Sequence, residues 1–224
     1  VDQSVRAVLY SDQVIPENAE VDRHLLALLS GKRRLGYVPS GPEPDRRFFT
    51  ERQTYYRKLG LDLAVFGEPA AFEKQAGSND LFDCDAIHLA GGDTASFLRH
   101  IKAAGLAERL RGWALSGGLL IGTSAGAILM TPTIAVDALF RGGSTKGGDG
   151  LAALDLLPFQ FFPHVHAKPS YLPALMTYSN TSRWPIAACP DGGGVVVSEG
   201  RIKPVGDLLW IDKGEVSRMR EMAF

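Results

Sequence analysis

At 224 residues the chain is long enough to bury one sizeable core, and it is read as a single domain over residues 1–224. Its 24 basic and 25 acidic side chains leave a formal net charge of −1 without long runs of one sign, which argues against nucleic acid and anionic membranes as partners. No apolar run is long enough to cross a bilayer, and Cys84 and Cys189 form no Cys-x-x-Cys pair, so a cytoplasmic protein without a disulfide framework is expected.

In chain order, short apolar and β-branched runs alternate with segments of helical period. Strands are expected at Val5–Tyr10, Arg34–Val38, Leu61–Phe66, Ala86–Ala90 and Leu119–Gly122. Between the first three lie two amphipathic helices. Glu17–Leu29 places Val21, Leu25, Leu28 and Leu29 on one stripe, and Asp45–Leu59 opens with a capping Asp. This alternation predicts an α/β fold built on a doubly wound, mostly parallel sheet. Beyond Met130 the pattern changes. Thr133–Val136 reads as a strand, and Arg141–Gly150 (RGGSTKGGDG) as a glycine-rich loop whose Lys146 lacks the context of a phosphate-binding loop. Short strands at Phe159–Phe162, Ile186–Ala188, Val195–Ser198 and Leu208–Ile211 predict a small β-rich C-terminal flank.

The segment Gly118–Met130 (GLLIGTSAGAILM) carries the first chemical signal. An apolar strand runs into Gly-Thr-Ser-Ala-Gly and then into a helical stretch. A tight strand-to-helix turn of this kind lifts a serine hydroxyl above the sheet, with glycines where side chains would collide. Ser124 is therefore a candidate nucleophile; the alternative is a helix-capping serine in a glycine-rich turn. A serine nucleophile needs a base and a group that orients the base. His24 and His100 fall on amphipathic helices, and His88 lies inside a strand, where it reads as a packed core residue. His164 and His166, in FFPHVHAKP, follow an apolar strand directly and are the candidate bases. Their spacing also admits a metal pair, but no third ligand is nearby, and neither a metal nor an organic cofactor is expected. Asp191 opens a glycine turn after another short strand and is a candidate acid; Asp137, Asp149 and Asp155 compete with it.

These residues resemble the peptidase E family, which includes dipeptidase E and the cyanophycinases. The resemblance runs through Pro39, Leu89-Ala-Gly-Gly-Asp-Thr, Gly122-Thr-Ser-Ala-Gly-Ala, Leu157-Pro-Phe-Gln-Phe-Phe-Pro-His164 and Pro190-Asp-Gly. It implies a fold similar to class I glutamine amidotransferases and a serine peptidase acting through an acyl-enzyme. In the implied site Ser124 is the nucleophile, His164 the base and Asp191 the acid, ahead of Asp137. The N–H groups of Gly92 and Ala125 form the oxyanion hole. Asp93, which reads on its own as the N-cap of a helix over Thr94–Ala104, is a candidate substrate contact along with His166 and Arg183. The segment that confers Asp-X preference in dipeptidase E is shorter here and has only Lys168 and Arg183 as cations, so that preference is not carried over. The expected substrate is a small peptide, cleaved by an exopeptidase or dipeptidase. Family members often pair, which makes a homodimer one expectation. The rival readings are another serine hydrolase, such as an isopeptidase, esterase or amidase, and a non-catalytic binding module with a vestigial triad.

Overall fold

The computed structural model describes residues 5–72, 79–141 and 149–223. In chain order these residues form β1 (Arg6–Tyr10), α1 (Ala19–Leu29), β2 (Arg34–Val38), α2 (Arg47–Lys58), β3 (Asp62–Phe66), α3 (Pro69–Phe72), β4 (Ala86–Leu89), α4 (Thr94–Ala103), α5 (Leu106–Leu115), β5 (Leu119–Thr123) and α6 (Ala125–Leu129). They continue with β6 (Gln160–Phe162), α7 (Tyr171–Ser179), β7 (Ile186–Ala188), β8 (Gly194–Ser198), β9 (Arg201–Val205), β10 (Leu209–Asp212), β11 (Glu215–Arg218) and β12 (Met222–Ala223).

The main sheet has eight strands in the order β12-β9-β8-β1-β5-β4-β2-β3. Strands β3, β2, β4, β5 and β1 are parallel, while β8, β9 and β12 pair antiparallel beyond β1. Alternate side chains of each strand point to opposite faces. Val8, Tyr10, Leu119 and Ile121 accordingly join the core under α1 and α2, whereas Ala7, Leu9, Leu120, Ile87 and Leu89 join the core on the other face. Residues buried on both faces are what a central parallel strand requires, and this explains why these segments read as unbroken apolar runs. The chain moves outward from β1 through β2 to β3, then returns through β4 to β5. This reversal leaves a crevice at the carboxyl ends of β1, β4 and β5.

The expected C-terminal flank divides in two. Strands β8, β9 and β12 extend the main sheet, and a second sheet of four strands, β11-β10-β7-β6, packs against it. Other expectations shift for local reasons. Helix α2 begins at Arg47 because Arg46 adopts a left-handed conformation, and capping is shared: Asp45 accepts the Arg47 N–H (3.2 Å) and Glu43 that of Phe49 (2.6 Å). Thr133–Val136 is not a strand. The Thr133 hydroxyl oxygen accepts the Ala135 N–H, Asp137 N–H bonds Ile134 O, and a 3-10 stretch runs over Ala135–Arg141, leaving only a bridge from Thr133 to Ala152. Residues 142–148 of the expected glycine-rich loop, Lys146 among them, lie outside the described residues. Cys84 and Cys189 are both buried and free of any disulfide. Among the described residues, no helix is long and apolar enough to cross a membrane.

Candidate active site

Strand β5 ends at Thr123, and the next residue, Ser124, takes φ 50° and ψ −108°, a conformation that L-residues avoid. Two sets of contacts hold it there. The Ser124 N–H donates to Tyr10 O (3.0 Å), and the Ser124 carbonyl accepts from Ala127 and Ile128 as α6 begins. The turn closes against β4 so tightly that a Cβ on Gly126 would stand 2.1 Å from Leu89 O, which explains the glycine after the serine. Helix α6 is only five residues long, so its backbone N–H groups matter more here than a macrodipole.

The Ser124 hydroxyl lies 3.1 Å from His164 Nε2, and His164 Nδ1 lies 2.5 Å from Asp191 Oδ1. His164 follows β6 and Asp191 follows β7, two parallel neighbours in the second sheet, so both side chains emerge from adjacent strand ends. His164 itself has φ 56°. Its backbone is held by Ser11, whose hydroxyl oxygen accepts the His164 N–H (2.8 Å) while its proton points to Asp191 Oδ1 (2.9 Å). Asp12 in turn accepts the Gly192 N–H (2.7 Å) and anchors the turn that carries Asp191. Asp191 is 54 % exposed, so it is an open-faced partner rather than a buried one.

Of the remaining expected residues, Gly92 and Ala125 flank Ser124 at the ends of β4 and β5. Gly92 has φ +141°, open to glycine, and a Cβ there would run into Ser40 Oγ. Neither the Gly92 nor the Ala125 N–H has a partner among the described residues. Asp93 caps α4 by accepting the Ser96 N–H (2.7 Å) and pairs with Arg141 (2.6 Å). The Ser96 bond, with Arg141 beside it, lowers its carboxyl pKa. Asp137 also faces Arg141, at 3.7 Å, and makes no contact with His164. His166 is exposed, and Arg183 lies over the Trp184 ring; no hydrogen bond or ion pair joins either to Ser124, His164 or Asp191. His88 is the packed histidine its strand position predicts, stacked on Tyr37 at 5.5 Å. Among the described residues no three His, Cys, Asp or Glu side chains cluster as a metal site requires.

Beside Gly91 and Gly92 opens a cavity of about 340 Å³, walled by residues including Tyr37, Glu43, Phe48, Arg52, His88 and Thr123. It lies on the β4/β2 side of Ser124, opposite the β1 side where His164 stands. The sequence reading missed Ser11, Gln13 and this cavity. Ser11 carried one usable signal: it follows β1 directly, at the sheet edge where sites of this architecture collect.

Comparison with known proteins adds a family, a relative and two similar folds. A family model described as Peptidase family S51 matches residues 9–205. The chain is 25% identical over 227 residues to Peptidase E of Salmonella gallinarum (strain 287/91 / NCTC 13346), covering 92% of this chain and 91% of the relative. Its fold is similar to that of a candidate peptidase E protein from Listeria monocytogenes EGD-e (TM-score 0.62, 20% identity, 96% and 98% of the two chains). It is also similar to that of a peptidase from an acI-B1 Actinobacterium (TM-score 0.71, 15% identity, 98% and 97%).

Proposed function

The chain belongs to peptidase family S51 and is a serine-type peptidase, and on that premise we propose that it is an exopeptidase of short peptides whose triad is Ser124, His164 and Asp191. The observation that carries the proposal is the continuous pair of hydrogen bonds from Ser124 Oγ through His164 to Asp191. His164 Nε2 takes the hydroxyl proton as Oγ attacks the peptide carbonyl, and Asp191 holds the proton on Nδ1 and stabilises the imidazolium. The Gly92 and Ala125 N–H groups receive the developing oxyanion; one such donor is worth about 3 kcal/mol in the transition state. His164 then protonates the leaving amine, the acyl-serine forms, and water, deprotonated by His164, releases the acid.

The geometry also supports an assignment of the two halves of the substrate. The leaving amine must meet His164, on the β1 side, so the acyl residue occupies the cavity on the β4/β2 side. A cavity of about 340 Å³ has room for one residue of a short peptide, in keeping with an exopeptidase. The test is labelling with a fluorophosphonate followed by mass mapping. An adduct on Ser124 that depends on His164 supports the reading; folded protein that takes no label at Ser124 refutes it.

A further inference from the structure

What the acyl residue must look like can be read from the floor of the cavity, given Ser124 as the nucleophile. His88 lines it and is only 1 % exposed. Its neighbours decide which ring nitrogen carries the proton. Gln13 Oε1 accepts the Thr123 hydroxyl (2.5 Å), which leaves the Gln13 amide to donate to the Tyr56 oxygen (3.2 Å). Tyr56 therefore aims its own proton at His88 Nδ1, 2.9 Å away. With Nδ1 accepting, the neutral ring bears its proton on Nε2. Burial, reinforced by the charge of Arg52, lowers the His88 pKa well below its ordinary value and keeps the ring neutral.

No hydrogen bond engages His88 Nε2 among the described residues, and none of their fully buried side-chain nitrogens lacks a partner. The Nε2–H edge is thus the point at which this ring meets the cavity. A donor so placed disfavours an alkyl guest, which would strand it without an acceptor.

The charged walls decide between the polar guests. Glu43 is 6 % exposed and fixed in place, one oxygen accepting the Phe49 N–H (2.6 Å) and the other the Tyr37 hydroxyl (3.3 Å). Glu51 pairs with Arg47 at 3.2 Å. With Glu51 compensated by Arg47, the buried Glu43 offsets Arg52, and the walls offer no net positive charge to hold a further carboxylate. We infer that the acyl pocket selects a side chain ending in a neutral carbonyl, the carboxamide of Asn or Gln, and that His88 Nε2–H is the group that reads it.

The test compares kcat/KM for p-nitroanilides of Asn, Gln, Asp, Glu, Leu and Met. Wild type is expected to favour Asn and Gln over their alkyl and carboxylate counterparts by at least about tenfold, one stranded hydrogen-bonding group. In His88→Phe the Asn/Leu ratio falls to near one. Tyr56→Phe, which leaves the ring in place but frees its tautomer, lowers the same ratio and serves where His88→Phe does not fold. A wild type that is labelled at Ser124 but prefers Asp, or shows no preference, overturns the inference and leaves the nucleophile standing. If Ser124 proves unreactive, calorimetry on Ser124→Ala decides the pocket by itself. Tighter binding of asparagine amide than of leucine amide supports the inference, and equal affinities overturn it.

Discussion

The Ser11 hydroxyl oxygen lies 2.8 Å from the backbone nitrogen of His164, joining residues 153 positions apart in the chain. That bond steadies a histidine in a left-handed conformation while the same hydroxyl fixes Asp191. Ser11→Ala should lower kcat/KM by about 10- to 100-fold, the worth of a hydrogen bond to a charged group. The loss should fall on kcat with KM little changed, because Ser11 acts through His164. Steady-state kinetics with circular dichroism checks this, and a pure KM effect would point to substrate contact instead.

The proposed triad takes Asp191 rather than Asp137 as its acid, and the two substitutions are expected to differ accordingly. Asp191→Asn leaves the His164 ring in place but removes the charge that fixes its tautomer, and should cut kcat by on the order of 10³- to 10⁴-fold. Asp137→Asn removes only a long contact to Arg141 and should stay within about fivefold of wild type. Equal losses in the two variants would defeat the assignment.

Gly126→Ala places a methyl group against the Leu89 carbonyl, a collision with backbone that no rotamer relieves. The elbow must shift or β4 must move. A destabilisation of about 3 kcal/mol or more is expected from the urea midpoint, with Ser124 labelling lost in whatever folded protein remains.

Asp22 is 3 % exposed and accepts hydrogen bonds from Tyr10 (2.8 Å) and Tyr55 (2.7 Å). Burial raises its pKa above the ordinary 3.8, against the opposing pull of the two hydroxyls. The folded chain therefore holds this proton to higher pH than the unfolded chain. The stability it contributes is complete below the unfolded value and is lost as pH rises through the folded one. Asp22→Asn, which still offers the tyrosines an acceptor, should gain on wild type as pH is raised from about 4 toward neutrality. Urea titrations across that window test it, and a difference independent of pH would remove burial as the cause.

The central parallel strands were legible because they are buried on both faces, so that runs such as Leu119–Gly122 stay apolar throughout. The nucleophile turn was legible because its glycines are demanded by backbone contacts within a few residues of Ser124. Helix α7, absent from the elements expected of the sequence, contains Pro173; near a helix start its missing N–H needs no partner, and the helix forms around it. Ile134 and Val136 look like strand residues and are buried, but the Thr133 hydroxyl bends the chain into a turn first. The contacts of Ser11 escaped for a different reason: its partner Asp191 lies 180 positions away, and position after β1 marks only where such a residue could act, not what it touches.

Ser124 stands on the eight-stranded sheet, whereas His164 and Asp191 hang from the four-stranded one. The proposed relay is therefore a seam between two separately hydrogen-bonded sheets, and Ser11 is a stitch across it. Peptide cleavage becomes a gauge of how those sheets are seated on one another. In mild denaturant turnover would fade while both sheets still stand, because slippage of about an ångström at the seam disarms a serine whose own strand has not moved.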